Sequence, residues 1–149
     1  MAIMDGTVPD PVAARRALAA LRGWWAPKWW VVMAIMGSPA PLLYTTYVLG
    51  ASGRLPPLKP LAPAALQAGI AFTIASIVAA WRLDRMVQRA IERAGLRGQA
   101  TPWDVIRPWS APGDPPELAA PLSAASRAAR LLIAAIVSPA AALLALLLV

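Results

Sequence analysis

The chain has 149 residues, 59% of them apolar and only 14% charged, with a net charge of +7. A soluble domain carries about 25% charged residues, so this chain lacks the polar surface that water demands. It contains no cysteine and no histidine, which removes disulfides, thiolate chemistry, histidine-ligated haem and most zinc or iron sites from its repertoire.

Residues 1–9 read as an irregular leader. The stretch "DPVAARRALAALRG" then carries a helix start and stop: Asp10 as N-cap, Pro11 at the first helical position and Gly23 past the end. A short helix over 11–22 is predicted, inside a leader that spans 1–28. Ala14, Leu18, Leu21 and Trp25 follow helical spacing on one side, while Arg15 and Arg22 share another with Arg16 nearby. That pattern predicts an interfacial helix, its apolar side in the acyl boundary and its arginines toward anionic headgroups; a solvated basic leader is the plainer alternative. Next, "GWWAPKWW" packs Trp24, Trp25, Trp29 and Trp30 around Pro27 and Lys28. Indole rings favour the headgroup layer, being apolar with one hydrogen-bond donor, and Lys28 can snorkel to phosphates from the same depth. The cluster is therefore expected at a bend between a flat helix and a steep one. An aromatic cage for a cation would need rings converging from separate segments.

Three runs without Asp, Glu, Lys or Arg follow: Trp29–Ser52, Leu61–Trp81 and Leu131–Val149. Each is close to the roughly 20 residues that cross a bilayer core as helix. Helices of a soluble bundle would each show a polar face, and these runs show none. A cleaved signal peptide is argued against by Pro41, which follows the best small-residue site, Ser38-Pro39-Ala40. The first span, 29–50, has Pro39 and Pro41 near its centre, where each deletes a backbone donor, so a kink is expected and Ser38 or a neighbouring helix should cover freed carbonyls. After an external loop over 51–60, the second span, 61–81, carries a narrow stripe of small residues, Ala65, Gly69, Thr73, Ser76 and Ala80. Ala134, Ser138 and Ala142 repeat the pattern in the third span, 131–149. Such stripes allow close helix packing, within the chain or with partners. Pro139 predicts a second kink.

Between spans two and three lies a basic, proline-rich segment, 82–130. Its first part continues the second helix over 82–96, with Leu83, Met86, Val87, Ala90 and Ile91 on one face and Arg82, Arg85, Arg89 and Glu92 on another, ending at Gly95 or Gly98. Thr101-Pro102 with Asp104, and Asp114-Pro115 with Glu117, each resemble a capping box. Short turns rather than a folded domain are expected there. Trp81, Trp103 and Trp109 are expected to dip into the headgroup layer, with Arg85 and Arg89 among the headgroup contacts, or to dock on a partner.

Four Lys or Arg precede the first span, two lie between the first and second, and eight between the second and third. The positive-inside rule then puts the N-terminus and the long second segment in the cytoplasm and the C-terminus in the periplasm. In sum, the sequence predicts an all-α integral membrane protein with three transmembrane helices, the first and third proline-kinked, an N-terminal interfacial amphipathic helix and a cytoplasmic extension of helix two.

Chemistry-bearing patterns are sparse. Ion-coupled transport usually places an ionisable residue within the membrane, and the three spans have none. Asp84, Glu92, Asp104, Asp114 and Glu117 each have a structural use as a cap or an arginine partner. No phosphate loop, metal box or nucleophile elbow occurs, so no catalytic, cofactor or metal residue is assigned. Contact with a lipid, quinone or carotenoid through the apolar surface is compatible with the composition. An RNA-binding role for the arginines fits less well than anionic lipid, because the charges sit beside membrane spans among prolines. The expectation is a non-catalytic accessory subunit of a larger bacterial inner-membrane complex, packing on other membrane subunits; respiratory or photosynthetic energy conversion is one setting for such a chain. The alternatives are a transient assembly factor and a self-associating, holin-like pore former whose polar face would draw on Tyr44, Thr45, Thr46, Tyr47, Gln67, Thr73 and Ser76.

Overall fold

In a computed structural model of the protein, residues 10–148 are described, and every regular element among them is helical. Helix α1 spans Pro11–Gly37 and α2 Pro39–Ala51; a 3-10 segment, Pro56–Leu61, leads into α3, Ala62–Arg93. A short α4, Pro102–Ile106, and a 3-10 turn, Pro116–Leu118, precede α5, Ala119–Leu148. The leader expected over 1–9 lies outside the described residues.

The start of α1 is the predicted one, since Asp10 Oδ1 accepts the Val12 N–H at 3.0 Å and Pro11 occupies the first turn. Its predicted stop is absent. One helix continues through Gly23 and Pro27 to Gly37, so there is no flat helix meeting a steep one. Gly23 lies against the start of α5 instead: a Cβ there would sit 3.5 Å from Leu118 and 3.8 Å from Pro121, ordinary contact distances that leave room for it. The side expected in the acyl boundary is also occupied by protein. Ala14, Leu18, Leu21, Trp25 and Trp29 pack on a buried cluster of Val87, Ile91, Leu96, Val105 and Ile106 from the end of α3 and from α4.

The chain turns from α3 to α4 at a Schellman cap. Gly95, at φ +72°, lets its own N–H reach the Glu92 carbonyl and the Leu96 N–H reach that of Ile91, while Leu96 joins Ile91 in the buried cluster. α4 then opens on the predicted capping box: Asp104 N–H donates to the Thr101 hydroxyl, and the Thr101 N–H donates to the Asp104 carboxylate. A second buried cluster, Ala26, Leu118, Leu122 and Ala125 with Ala19 and Trp30 against it, joins α1 to α5. The first half of α1, the last turns of α3, α4, residues 107–118 and the first turns of α5 thus form a packed head rather than isolated turns.

Beyond the head the helices become apolar. The segments Pro11–Ala51, Pro56–Arg93 and Pro116–Leu148 are each long and apolar enough to cross a membrane, the pattern of a multi-pass membrane protein. α3, with 32 residues, is about 48 Å long against the roughly 30 Å of a hydrocarbon core, and its surplus supplies one wall of the head. α2 packs on α3, and α5 lies along α1 and α2. The predicted break in the first span is a lapse in helical hydrogen bonding: α1 ends at Gly37 and α2 begins at Pro39, while Ser38 between them keeps right-handed helical dihedrals, φ −64° and ψ −35°, and its N–H still reaches the Ala34 carbonyl. A neighbouring helix covers it, since the Ser76 hydroxyl of α3 lies 2.8 Å from the Met36 carbonyl and 2.7 Å from that of Phe72, its single hydrogen serving one at a time or both weakly. The second predicted kink is not a break, because α5 runs as one helix through a buried Pro139.

Candidate functional site

The most unusual residue of the head is Arg22, on the fourth turn of α1. It is 1% exposed. A buried guanidinium is tolerated only where its charge and donors are met, and residues 107–118 meet them. Nη1 donates to Asp114 Oδ1 at 2.6 Å and Nη2 to the Trp109 carbonyl at 2.7 Å. The Nε–H has no acceptor among the described residues. Beside this clasp, Trp30 donates its indole N–H to the Ile106 carbonyl at 2.7 Å. Two donors on α1, eight positions apart, therefore pin the segment that joins α4 to α5.

Asp114 is held in place by a tight turn. Its N–H donates to the Ala111 carbonyl at 3.0 Å, with Pro112 second and Gly113, φ +88°, third, the pattern of a type II turn. The Ala111 N–H in turn donates to Asp114 Oδ2 at 2.5 Å. Burial raises the carboxyl pKa and is its largest single influence; the Arg22 and Ala111 hydrogen bonds and the charges of Arg22 and Arg107 together outweigh it, so Asp114 titrates below the ordinary aspartate value. Asp104 is also lowered, first by the Thr101 hydroxyl and N–H, against some burial, with Arg107 and Arg22 adding charge.

Around the clasp is a cavity of about 190 Å³, lined by Arg15, Leu18, Ala19 and Arg22 of α1, by Arg107, and by the turn from Ala111 to Pro115. Its charged lining is three arginines against one aspartate. The Arg107 Nε–H, like that of Arg22, is buried without an acceptor among the described residues. Among those residues no three His, Cys, Asp or Glu gather where they could ligate a metal.

The predicted site residues separate in space. Arg22 is buried in the clasp, whereas Arg15, Arg16, Arg85 and Arg89 are exposed on the head. Of the tryptophans expected as interface anchors, Trp24, Trp81, Trp103 and Trp109 are about half exposed or more, whereas Trp25, Trp29 and Trp30 are turned into the head. Lys28 Nζ sits over the Trp24 ring at 2.9 Å, the Arg85 guanidinium over Trp81 at 4.7 Å, and Trp103 meets Trp109 edge to face at 5.4 Å. The Asp114 capping box is not formed, since Pro115 precedes the 3-10 turn with no side-chain cap and Asp114 is engaged by Arg22.

The α3 stripe faces α2. Ala65 and Gly69 are buried, and a Cβ on Gly69 would lie 3.3 Å from the Tyr44 ring. The Tyr44 hydroxyl is 3.1 Å from Thr73 Oγ1, which donates to the Gly69 carbonyl at 2.8 Å, so tyrosine is the donor of that pair. Ala80, at the head end, is half-buried. On α5 the matching residues Ala134, Ser138 and Ala142 point away from the rest of the chain. The clasp, absent from the sequence reading, had one local signal, the Pro112-Gly113 dipeptide that marks a tight turn. Comparison with protein-family models, with curated proteins and with solved structures finds no match.

Proposed function

We propose that this chain is a non-catalytic accessory subunit of a larger complex in the bacterial inner membrane, with its N-terminus and head on the cytoplasmic side. The observation that carries the reading is the unused stripe of α5. The chain has two series of small residues at helical spacing; that of α3 is filled by α2, while Ala134, Ser138 and Ala142 are left open. Pro139 beside them removes the N–H that would satisfy the Ala135 carbonyl, and lipid offers no donor in its place. Pro139 and the Ala135 carbonyl lie on the inward side of α5; on the opposite, open side a helix of another subunit could pack closely along Ala134, Ser138 and Ala142, with the Ser138 hydroxyl as its polar partner. The exposed Trp103–Trp109 pair gives the head a second contact of the same kind.

The geometry favours this reading over a self-associating pore. Thr45 and Thr46 donate to the carbonyls of Pro41 and Leu42 in their own helix, Tyr44 and Thr73 bond each other, and Ser76 bonds across to Met36. Five of the seven polar residues available for a water path are thus hydrogen-bonded within the chain, leaving Tyr47 and Gln67. The test is extraction from native membranes in mild detergent, followed by sizing and identification of co-migrating proteins. A defined assembly that is lost on Ser138→Leu with Ala134→Leu supports the subunit role; a monodisperse particle of the chain's own mass overturns it.

A further inference from the structure

We propose that the cavity between Arg15, Arg22 and Arg107 is a binding site for a phosphate group, presented by a lipid or by a soluble anion. Its volume, about 190 Å³, lies below the roughly 300–1,000 Å³ of sites for drug-sized molecules and well above the roughly 30 Å³ share of one water. It suits a small anion or a headgroup. Charge decides the class. Three guanidiniums and one carboxylate line the space, and that carboxylate is already held by Arg22 and the Ala111 N–H. A net charge of +2 remains, which matches a phosphate monoester carrying about −1.5 to −2 at neutral pH.

Guanidinium chemistry points the same way, because such forks pair readily with phosphate oxygens. Arg15 and Arg107 line the space, and Arg22, 1% exposed with its Nε–H buried, contributes its charge from within the wall. The Asp114 bond fixes Arg22, and Arg107 is held as the residue that caps α4, its N–H on the Trp103 carbonyl. Arg15 stands seven residues before Arg22 on the same side of α1, exposed at the edge of the cavity. Arg22 is thus fixed through its side chain and Arg107 through its backbone, while Arg15 is exposed beside them. The inference stands whether or not the chain joins a complex.

The experiment uses the full chain in detergent, with native mass spectrometry counting bound lipid. Dioleoyl phosphatidic acid, dioleoyl phosphatidylglycerol and dioleoyl phosphatidylcholine are offered separately, and inorganic phosphate is added as competitor and alone. The expected result is one retained phosphatidic acid, held more tightly than phosphatidylglycerol and far more tightly than phosphatidylcholine. Arg15→Ala with Arg107→Ala should weaken it roughly tenfold to a hundredfold, the loss of one or two charge-assisted hydrogen bonds. Arg85→Ala with Arg89→Ala removes equal charge from another part of the head and should leave it unchanged. Retention against excess inorganic phosphate assigns the site to a headgroup; displacement, with inorganic phosphate alone raising the melting temperature of the wild type, assigns it to a soluble anion. Equal loss in both double variants, or no preference for phosphatidic acid over phosphatidylcholine in the wild type together with no effect of inorganic phosphate, overturns the proposal.

Discussion

Truncating the two partners of the Arg22–Asp114 clasp should have unequal effects. In Asp114→Ala the guanidinium stays, 1% exposed, with its charge uncompensated; breaking a buried pair in this way costs about 3–5 kcal/mol. The bond to the Ala111 N–H is lost as well, for about 1 kcal/mol more. In Arg22→Met the apolar stem is retained and the partner left behind is Asp114, 18% exposed, which takes up water. The two charge-assisted bonds given up are worth about 1.5–3 kcal/mol each, but removing the guanidinium also removes its burial penalty of several kcal/mol, so the net cost is the smaller of the two. The double variant leaves no stranded charge and should lie nearer Arg22→Met than the sum of the two. Hydrogen–deuterium exchange across residues 107–118 reads this directly, because those amides open when the clasp does. Faster exchange in the order wild type, Arg22→Met, Asp114→Ala is expected. Equal acceleration in the two single variants, or none in either, would refute the argument that the buried guanidinium sets the cost.

The pH dependence follows from the lowered pKa values of Asp104 and Asp114. A depressed folded-state pKa gives stability that is present above the ordinary aspartate value and lost as pH falls through the folded value, so docking of 107–118 should be flat near neutrality and loosen only below about pH 4; the acid limb should shrink in Asp114→Ala, read by tryptophan fluorescence. Gly50→Ala should destabilise despite helix propensity, because the added Cβ would meet the Leu58 carbonyl oxygen at 2.6 Å and its carbon at 2.9 Å. A gain of about 1 kcal/mol from propensity is set against an overpacking cost of about 1–3 kcal/mol, and a lower melting temperature in detergent checks the sign. Trp30→Phe should cost about 1 kcal/mol more than Trp29→Phe, since Trp30 donates to the Ile106 carbonyl while the Trp29 indole N–H is buried without an acceptor; thermal melts of the two variants side by side decide it.

What the sequence made legible is what local chemistry encodes. Asp10-Pro11 and the Thr101–Asp104 box are start signals made by neighbours, and Ser38-Pro39 is a break made by two residues. The three apolar helices follow from uninterrupted runs. Gly23 misled because a lone glycine is tolerated inside a helix that tertiary packing supports, and the contacts of α1 with α3 and α5 are not visible in its neighbours. Arg22 misled for the same reason. Spacing groups it with Arg15 on a basic face, and nothing within a turn of it announces a carboxylate 92 positions away. The four tryptophans looked like one belt because aromatic rings suit both a lipid interface and a protein core; which applies depended on whether the 107–118 segment folds back, and proline-rich composition reads the same either way.

Because α1 is continuous from Arg22 to Gly37, about 22 Å at 1.5 Å per residue, the buried ion pair of the head and the proline-interrupted midpoint of the first span lie on one helix. That helix packs against both α5 and α3. The position at which the arginine is clasped therefore also sets where the Met36 carbonyl meets the Ser76 hydroxyl.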